Sequence, residues 1–467
     1  MNLRAGIIHG IDKIDIMESG SHSELLLFLA IMKRSVPGRC NKTILPQERI
    51  FMETMAWELC QLLLECLKKS GANVDGARLS NLSPESWQIL LSMARTQRVI
   101  SLLWHRLRQK GLDGFVPSAA AETFTDAFRE NTFHNLRFYG ELRRLLSVLN
   151  AEKIPLILLK GIFLADAVYG NMGVREMNDI DVLAHPADLV RIAEILADMG
   201  YTPLSPISVE TTLHSAHHLP RMIKKGHAGF EIHWNLTSPN ENFTIDPRGL
   251  WERAVPVHIV GCDALTLSPE DLLLHLCLHT SYQHQFAFGL RPSCDIAETI
   301  DHFGAGINWQ TITNQAMQWG WQRGVYLSLR LANELAGADV PANILVSLRP
   351  SDVAEEMLET IRAQVFTDSH FAVSIPVPFA ELLECNNIWD KIRMFWPRVF
   401  LPKAIIASQY SVPMNSIKIY FCYPRRFVDV LRRHGHTLKK HQQNDASLKI
   451  LAVRTKKIAD WLALQNT

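Results

Sequence analysis

Asp179 and Asp181, separated by a single isoleucine in DIDVLA, are the residues of this chain best suited to do chemistry. Side chains of an extended segment alternate between faces, so the two carboxylates share one face and Ile180 and Val182 share the other. Two acids that close repel, which raises a pKa or costs stability, and a divalent cation held by both relieves the strain. A second segment repeats the pattern. In GFEIHW, Glu231 and His233 fall on one face and Phe230, Ile232 and Trp234 on the opposite one. If the two segments are sheet neighbours, Glu231 joins the aspartates. Oxygen-only ligation by Asp179, Asp181 and Glu231 suits Mg²⁺ or Mn²⁺, which keep positions open for phosphate oxygens.

Upstream, Lys160-Gly161 ends the apolar run IPLILL (154–159) and opens IFLADAVYG. A glycine between strand and helix lets backbone approach a phosphate, the first helical N–H groups stabilise its charge, and Lys160 adds a point charge. Arg175 lies four residues before Asp179. It is expected to neutralise a triphosphate, with pairing to Glu176 or Asp179 as the structural alternative.

These residues need an α/β framework, and the hydrophobic period supplies one. Segments from MAWELCQLLLECLKK to ETFTDAFRENTFHNLRFYGELRRLLSVLNAE repeat apolar residues at helical spacing, with Ser83-Pro84 as a helix start. The period then changes. IPLILL, DIDVLA and AGFEIHWNL read as strands, while PADLVRIAEILADMGY reads as a helix closed by Gly200. From SPEDLLLHLCLH onward, helical spacing returns. The expected division is a weakly ordered extension over 1–51, a helical region over 52–150, an α/β core over 151–262 and a helical region over 263–467 with a basic tail. The expected fold class is α+β.

Composition narrows the function classes. With 47% hydrophobic and 20% charged residues the chain is of globular type. A formal net charge of +1 gives no chain-wide attraction to nucleic acid or anionic lipid. The eight cysteines show no C-x-x-C pair, so free, mostly buried thiols are expected. The apolar run LLLFLAIM (25–32) is far shorter than the ~20 residues that span a bilayer, and no signal peptide is read. A cytoplasmic location is the expectation.

The set LLKG, Arg175, NDIDVL, the Gly200-Tyr201 pair and FEIHW is similar to an uncharacterised bacterial nucleotidyltransferase family within the superfamily that has the DNA polymerase beta fold. The likeness also takes in the helical run-in from about residue 84 and the segments SPEDLLLHLCLH and DIAETI. The superfamily turn usually reads Gly-Gly or Gly-Ser, whereas this one reads Lys-Gly followed by Ile162. The resemblance implies a polymerase-beta-like core and two-metal transfer of a nucleoside monophosphate from a nucleoside triphosphate such as ATP. It further implies that Asp179 and Asp181 are metal ligands and that Glu231 is a third ligand or the base activating the acceptor. Lys160, Gly161, Arg175 and His233 then bind the nucleotide or its metal, and the acceptor is a small molecule or a protein.

Other features carry less. His214, His217 and His218, and the helical pair His275 and His279, could ligate zinc, but no H-E-x-x-H accompanies them; satisfied polar or core histidines are expected. His279 and Asp295 fall within the family-like segments as candidate pocket residues, with helix capping as the alternative for Asp295. Between Arg425 and Lys457 ten Lys or Arg face two Asp, a run that could bind nucleic acid but more often forms a solvated helical face. The competing function is a non-catalytic nucleotide-binding regulatory or interaction module.

Overall fold

The computed structural model describes residues 46–69, 74–205, 207–214, 216–239, 245–367, 446–464 and parts of 389–429. The proposed extension over 1–51 therefore lies outside the described residues except from Pro46, where helix α1 (Pro46–Leu67) begins. The next helices are α2 (Pro84–Thr96), α3 (Ile100–Gln109) and α4 (Ser118–Ala151). Ser83 caps α2 by accepting the Ser86 N–H at 3.1 Å, and Pro84 takes the first helical position, where a missing N–H costs nothing. Leu142, Leu145 and Leu149, one apolar stripe of α4, are fully buried.

Among the described residues seven strands form one mixed sheet in the order β3-β4-β5-β2-β1-β7-β6. They are β1 (Ile157–Leu158), β2 (Asp179–Leu183), β3 (Thr202–Pro203), β4 (Met222–Ile223), β5 (Gly229–His233), β6 (Val255–Ile259) and β7 (Cys262–Thr266). Helix α5 (Leu189–Asp198) crosses between β2 and β3. Gly200 follows it with φ +86°, the left-handed residue that commonly closes a helix. The last strand of the sheet ends at Thr266, just past residue 262, and pairs parallel to β1.

The central fact is the pairing of β2 with β5. They run parallel, with Asp179 opposite Gly229, Asp181 opposite Glu231 and Leu183 opposite His233. On the other face Ile180, Val182, Phe230 and Ile232 are all at 0% exposure. A one-residue slip would drive the acids into that packed layer, so burial fixes the register.

Downstream lie α6 (Pro269–Leu278), α7 (Arg291–Phe303), α8 (Trp309–Gln318), α9 (Gln322–Ala336), α10 (Glu355–Val365) and α11 (Ala446–Ala463). α7 packs on α6 and α9, and α11 on α10. Six cysteines among the described residues are buried and free. No helix of the described residues is long and apolar enough to cross a membrane. In the basic tail, Arg454 donates to Thr367 Oγ1 at 3.0 Å, Lys457 reaches Glu356, and Lys456 pairs with Asp460. Arg432, Arg433, Lys439 and Lys440 lie outside the described residues.

Candidate active site

The β2–β5 pairing places a carboxylate oxygen of Asp181, one of Glu231 and a ring nitrogen of His233 within 4.8 Å of one another. Asp179 lines the same cleft, together with Lys160, Gly161, Arg175 and Glu231. The compact donor group thus includes an imidazole nitrogen in addition to carboxylates. The seven residues selected from the sequence gather at this cleft and the strand pair beneath it, with Lys160 and Arg175 each engaged by a carboxylate.

Lys160 places its Nζ 3.0 Å from Asp181 Oδ1, with its side chain nearly buried. Its backbone is left-handed at φ +34°, an uncommon conformation for a residue with a β-carbon. Among the described residues Arg175 forms no ion pair with Glu176 or Asp179, although its Nη1 donates to the Glu176 carbonyl at 3.3 Å. Its Nε and Nη2 donate to Asp295 Oδ1 and Oδ2, each at 2.8 Å, and Tyr169 donates to the same carboxylate at 2.9 Å. Asp295 is therefore the buried anchor of Arg175, while His279 lines the cleft.

Gly161 has a geometric reason to be glycine. A β-carbon there would sit 2.6 Å from Arg175 Nη1 and 3.3 Å from Met177. The guanidinium is held by Asp295 and cannot swing away cheaply. Gly161→Ala is accordingly expected to destabilise the protein by about 1–3 kcal/mol, read as a lower urea midpoint. An unchanged midpoint would mean that Arg175 yields freely.

Electrostatics separates the three acids. Burial, and then the charge of Asp181, push Asp179 up to about 6. Burial, then Asp181 and Asp179, push Glu231 up to about 7. Asp181 behaves differently: burial opposes its ionisation, yet the Lys160 ammonium and the hydrogen bond with His233 at 3.2 Å hold it well below the usual carboxylate range. Burial lowers His233 to about 4, so its imidazole is neutral near pH 7 and able to ligate. Two crowded acids that resist ionisation, a third that is ionised and a neutral imidazole are a donor set that fits a divalent cation.

Further histidines surround this set. The ring centroids of His217 and His218 lie 5.4 and 5.2 Å from that of His233. Backbone bonds from Leu219 N to Ile232 O and from Trp234 N to His217 O lay this segment along β5. His217 meets Ser238 Oγ at 2.7 Å, and His218 meets the Leu219 carbonyl at 2.7 Å. These bonds match the expectation of satisfied histidines. His275 differs, because it is 1% exposed and among the described residues neither ring nitrogen has a hydrogen-bond partner.

The loop that delivers Arg175 and Asp179 is held by one face of α4. Asn131 Nδ2 donates to Gly173 O at 2.8 Å, His134 Nε2 lies 2.9 Å from Met177 O, and Asn135 Nδ2 donates to Arg175 O at 2.7 Å. One turn on, the Tyr139 hydroxyl donates to Ile162 O at 2.8 Å. These four were missed at the sequence level. The available signal was a polar trio at i, i+3 and i+4 beside an apolar stripe, a spacing that puts side chains on one helical face.

The mixed sheet, its helices and the acid-bearing cleft are those of a nucleotidyltransferase domain. A family model described as "Uncharacterised nucleotidyltransferase" matches residues 83–337, over half of the 467-residue chain, and the chain belongs to that family. The matched span runs from the cap of α2 to the end of α9. No curated protein and no solved structure matches the chain.

Proposed function

We propose that the chain is a metal-dependent nucleotidyltransferase with a polymerase-beta-like core over residues 151–262, flanked by helical regions over 52–150 and 263–467. It transfers a nucleoside monophosphate from a nucleoside triphosphate such as ATP to a small-molecule or protein acceptor. The observation that carries this is the side-by-side placement of Asp181 and Glu231 on paired parallel strands, with Asp179 on the same face of one cleft. Asp179, Asp181, Glu231 and His233 hold the cation, Mg²⁺ or Mn²⁺, which when bound stabilises charge developing on the phosphoryl oxygens. Glu231 serves as a ligand or takes the proton of the acceptor, a task suited to a carboxylate raised toward neutral pH. Lys160 holds Asp181 ionised, and Arg175 braces the loop between the Lys160–Gly161 turn and β2.

The non-catalytic alternative draws on the Lys160–Asp181 pair, since a cation has to compete with that ammonium for the carboxylate. Incubation with each α-labelled nucleoside triphosphate, Mg²⁺ or Mn²⁺ and cell extract separates the two. Labelled product or released pyrophosphate is expected. Nucleotide binding with no transfer under any condition would favour the regulatory module.

A stability measurement tests the cation independently. The folded-state pKa values of Asp179 and Glu231, about 6 and 7, exceed their ordinary values of 3.8 and 4.5. The folded protein then binds more protons than the unfolded chain over that window, so metal-free stability falls as pH rises from about 4 through about 7. Asp181, held low, stabilises the folded state throughout that window and loses its contribution only as pH falls below it. A divalent ion binds the ionised carboxylates, so the rise in melting temperature caused by Mn²⁺ should grow from about pH 5 to about pH 7.5. A shift independent of pH would count against these ligands.

A further inference from the structure

Facing the acids across the cleft are His279, His284, Phe288 and Arg291, delivered by a segment with an unusual backbone. The chain leaves α6 through a wide π turn, His279–Gln283, a deformation frequent at functional sites. Gln285 and Phe286 then adopt left-handed conformations at φ +42° and +61°. For residues with a β-carbon such conformations are strained, and such strain collects where a site demands it. This path ends at Arg291, the first residue of α7.

Among the described residues Arg291 has no ion-pair partner of the kind that three other buried arginines possess. Arg175 meets Asp295, Arg106 meets Glu298 and Arg323 meets Asp352. Arg291 is 8% exposed, yet among the described residues its one hydrogen bond runs from Nη1 to the Glu176 carbonyl at 3.1 Å, and its buried Nε has none. Burial lowers it to about 10, so it stays charged near pH 7. Among the described residues no carboxylate pairs with it directly, and only the charges of Asp295 and Glu176 at longer range offset its burial, a costly state for a cation that here borders a cleft. The other cations on the cleft wall are committed, Lys160 to Asp181 and Arg175 to Asp295. Phe288 buttresses the guanidinium, whose carbon lies 5.7 Å from the ring centroid.

We propose that Arg291 is the polyphosphate-binding residue of the cleft: the phosphates of a nucleoside triphosphate supply the direct ion-pair partner that it does not find among the described residues, opposite the acid cluster. The proposal rests on the nucleotidyltransferase reading for the identity of the ligand, but its chemistry is that of any polyphosphate. A guanidinium presents a planar fork to phosphate oxygens, and Arg291 projects from the N-terminal end of α7, where the helix dipole favours negative charge.

Calorimetric titration of the full chain with inorganic tripolyphosphate, in the presence of Mn²⁺, tests this. Wild-type protein is expected to bind, Arg291→Gln to bind about 10- to 100-fold more weakly, and Arg291→Lys to fall between them. Adenosine, which carries no phosphate, is expected to show no dependence on residue 291. A structural cation would destabilise the fold when removed. Arg291→Met is instead expected to keep or raise the melting temperature, because a buried charge without a direct ion-pair partner is deleted. Equal tripolyphosphate affinity in wild type and Arg291→Gln, or no binding to wild type, overturns the proposal. If Arg291→Gln fails to fold, Arg291→Lys decides, since an unchanged affinity there removes the role of the fork. Arg291-dependent tripolyphosphate binding without transfer from any nucleoside triphosphate upholds Arg291 and overturns the enzymatic reading alone.

Discussion

Asp181→Asn is expected to reduce nucleotide transfer by about 10³-fold or more and to abolish Mn²⁺ binding seen by electron paramagnetic resonance. Asp181 stands at the centre of the site. It touches Lys160 at 3.0 Å and His233 at 3.2 Å, and it sits opposite Glu231 in the paired strands. It is also the acid that remains ionised, whereas Asp179 and Glu231 are raised by burial and by its charge. An amide keeps the shape and removes the charge, so any loss reports electrostatics and ligation. Asp263→Asn is a suitable control: that side chain is 90% exposed on β7 and pairs with His258. Transfer by Asp181→Asn within tenfold of wild type would remove Asp181 from the machinery.

Arg175→Met is expected to cost about 3–5 kcal/mol of stability, the range for stripping one partner from a buried ion pair. Asp295 would be left 3% exposed with only the Tyr169 hydroxyl in place of a two-pronged guanidinium. Combining it with Asp295→Leu should restore much of the loss, because two apolar side chains replace two charges at once. Urea denaturation of both single variants and the double gives the coupling energy. A cost under about 1 kcal/mol for the single variant would mean that the pair does not brace the loop.

Local patterns in the sequence carried much of the site. The faces of Asp179, Asp181, Glu231 and His233 follow from a two-residue period, which needs no knowledge of the rest of the chain. Gly200 and the Ser83-Pro84 cap were legible for the same reason. The regular strand is shorter than the apolar run IPLILL: β1 covers Ile157–Leu158, with Leu156 O and Leu159 N bonded to the neighbouring strands on either side. What stayed hidden depends on contacts between distant segments. Nothing near Arg175 indicates that its partner is Asp295, and a guanidinium intended for a carboxylate looks the same in sequence as one intended for phosphate. Arg291 precedes a proline at a helix start, where an arginine reads as ordinary surface. The adjacency of β2 and β5 came from family likeness, since strand order is not encoded by any single segment.

Because Asn131, His134, Asn135 and Tyr139 hang the backbone leading to the acids from a 34-residue helix, the acid-bearing sheet is not a self-sufficient module. A fragment beginning at residue 151 would retain every acid of the proposed metal site and lose the beam from which their approach segment is suspended. Transplanting this chemistry into another scaffold therefore requires carrying the long upstream helix along with the strands.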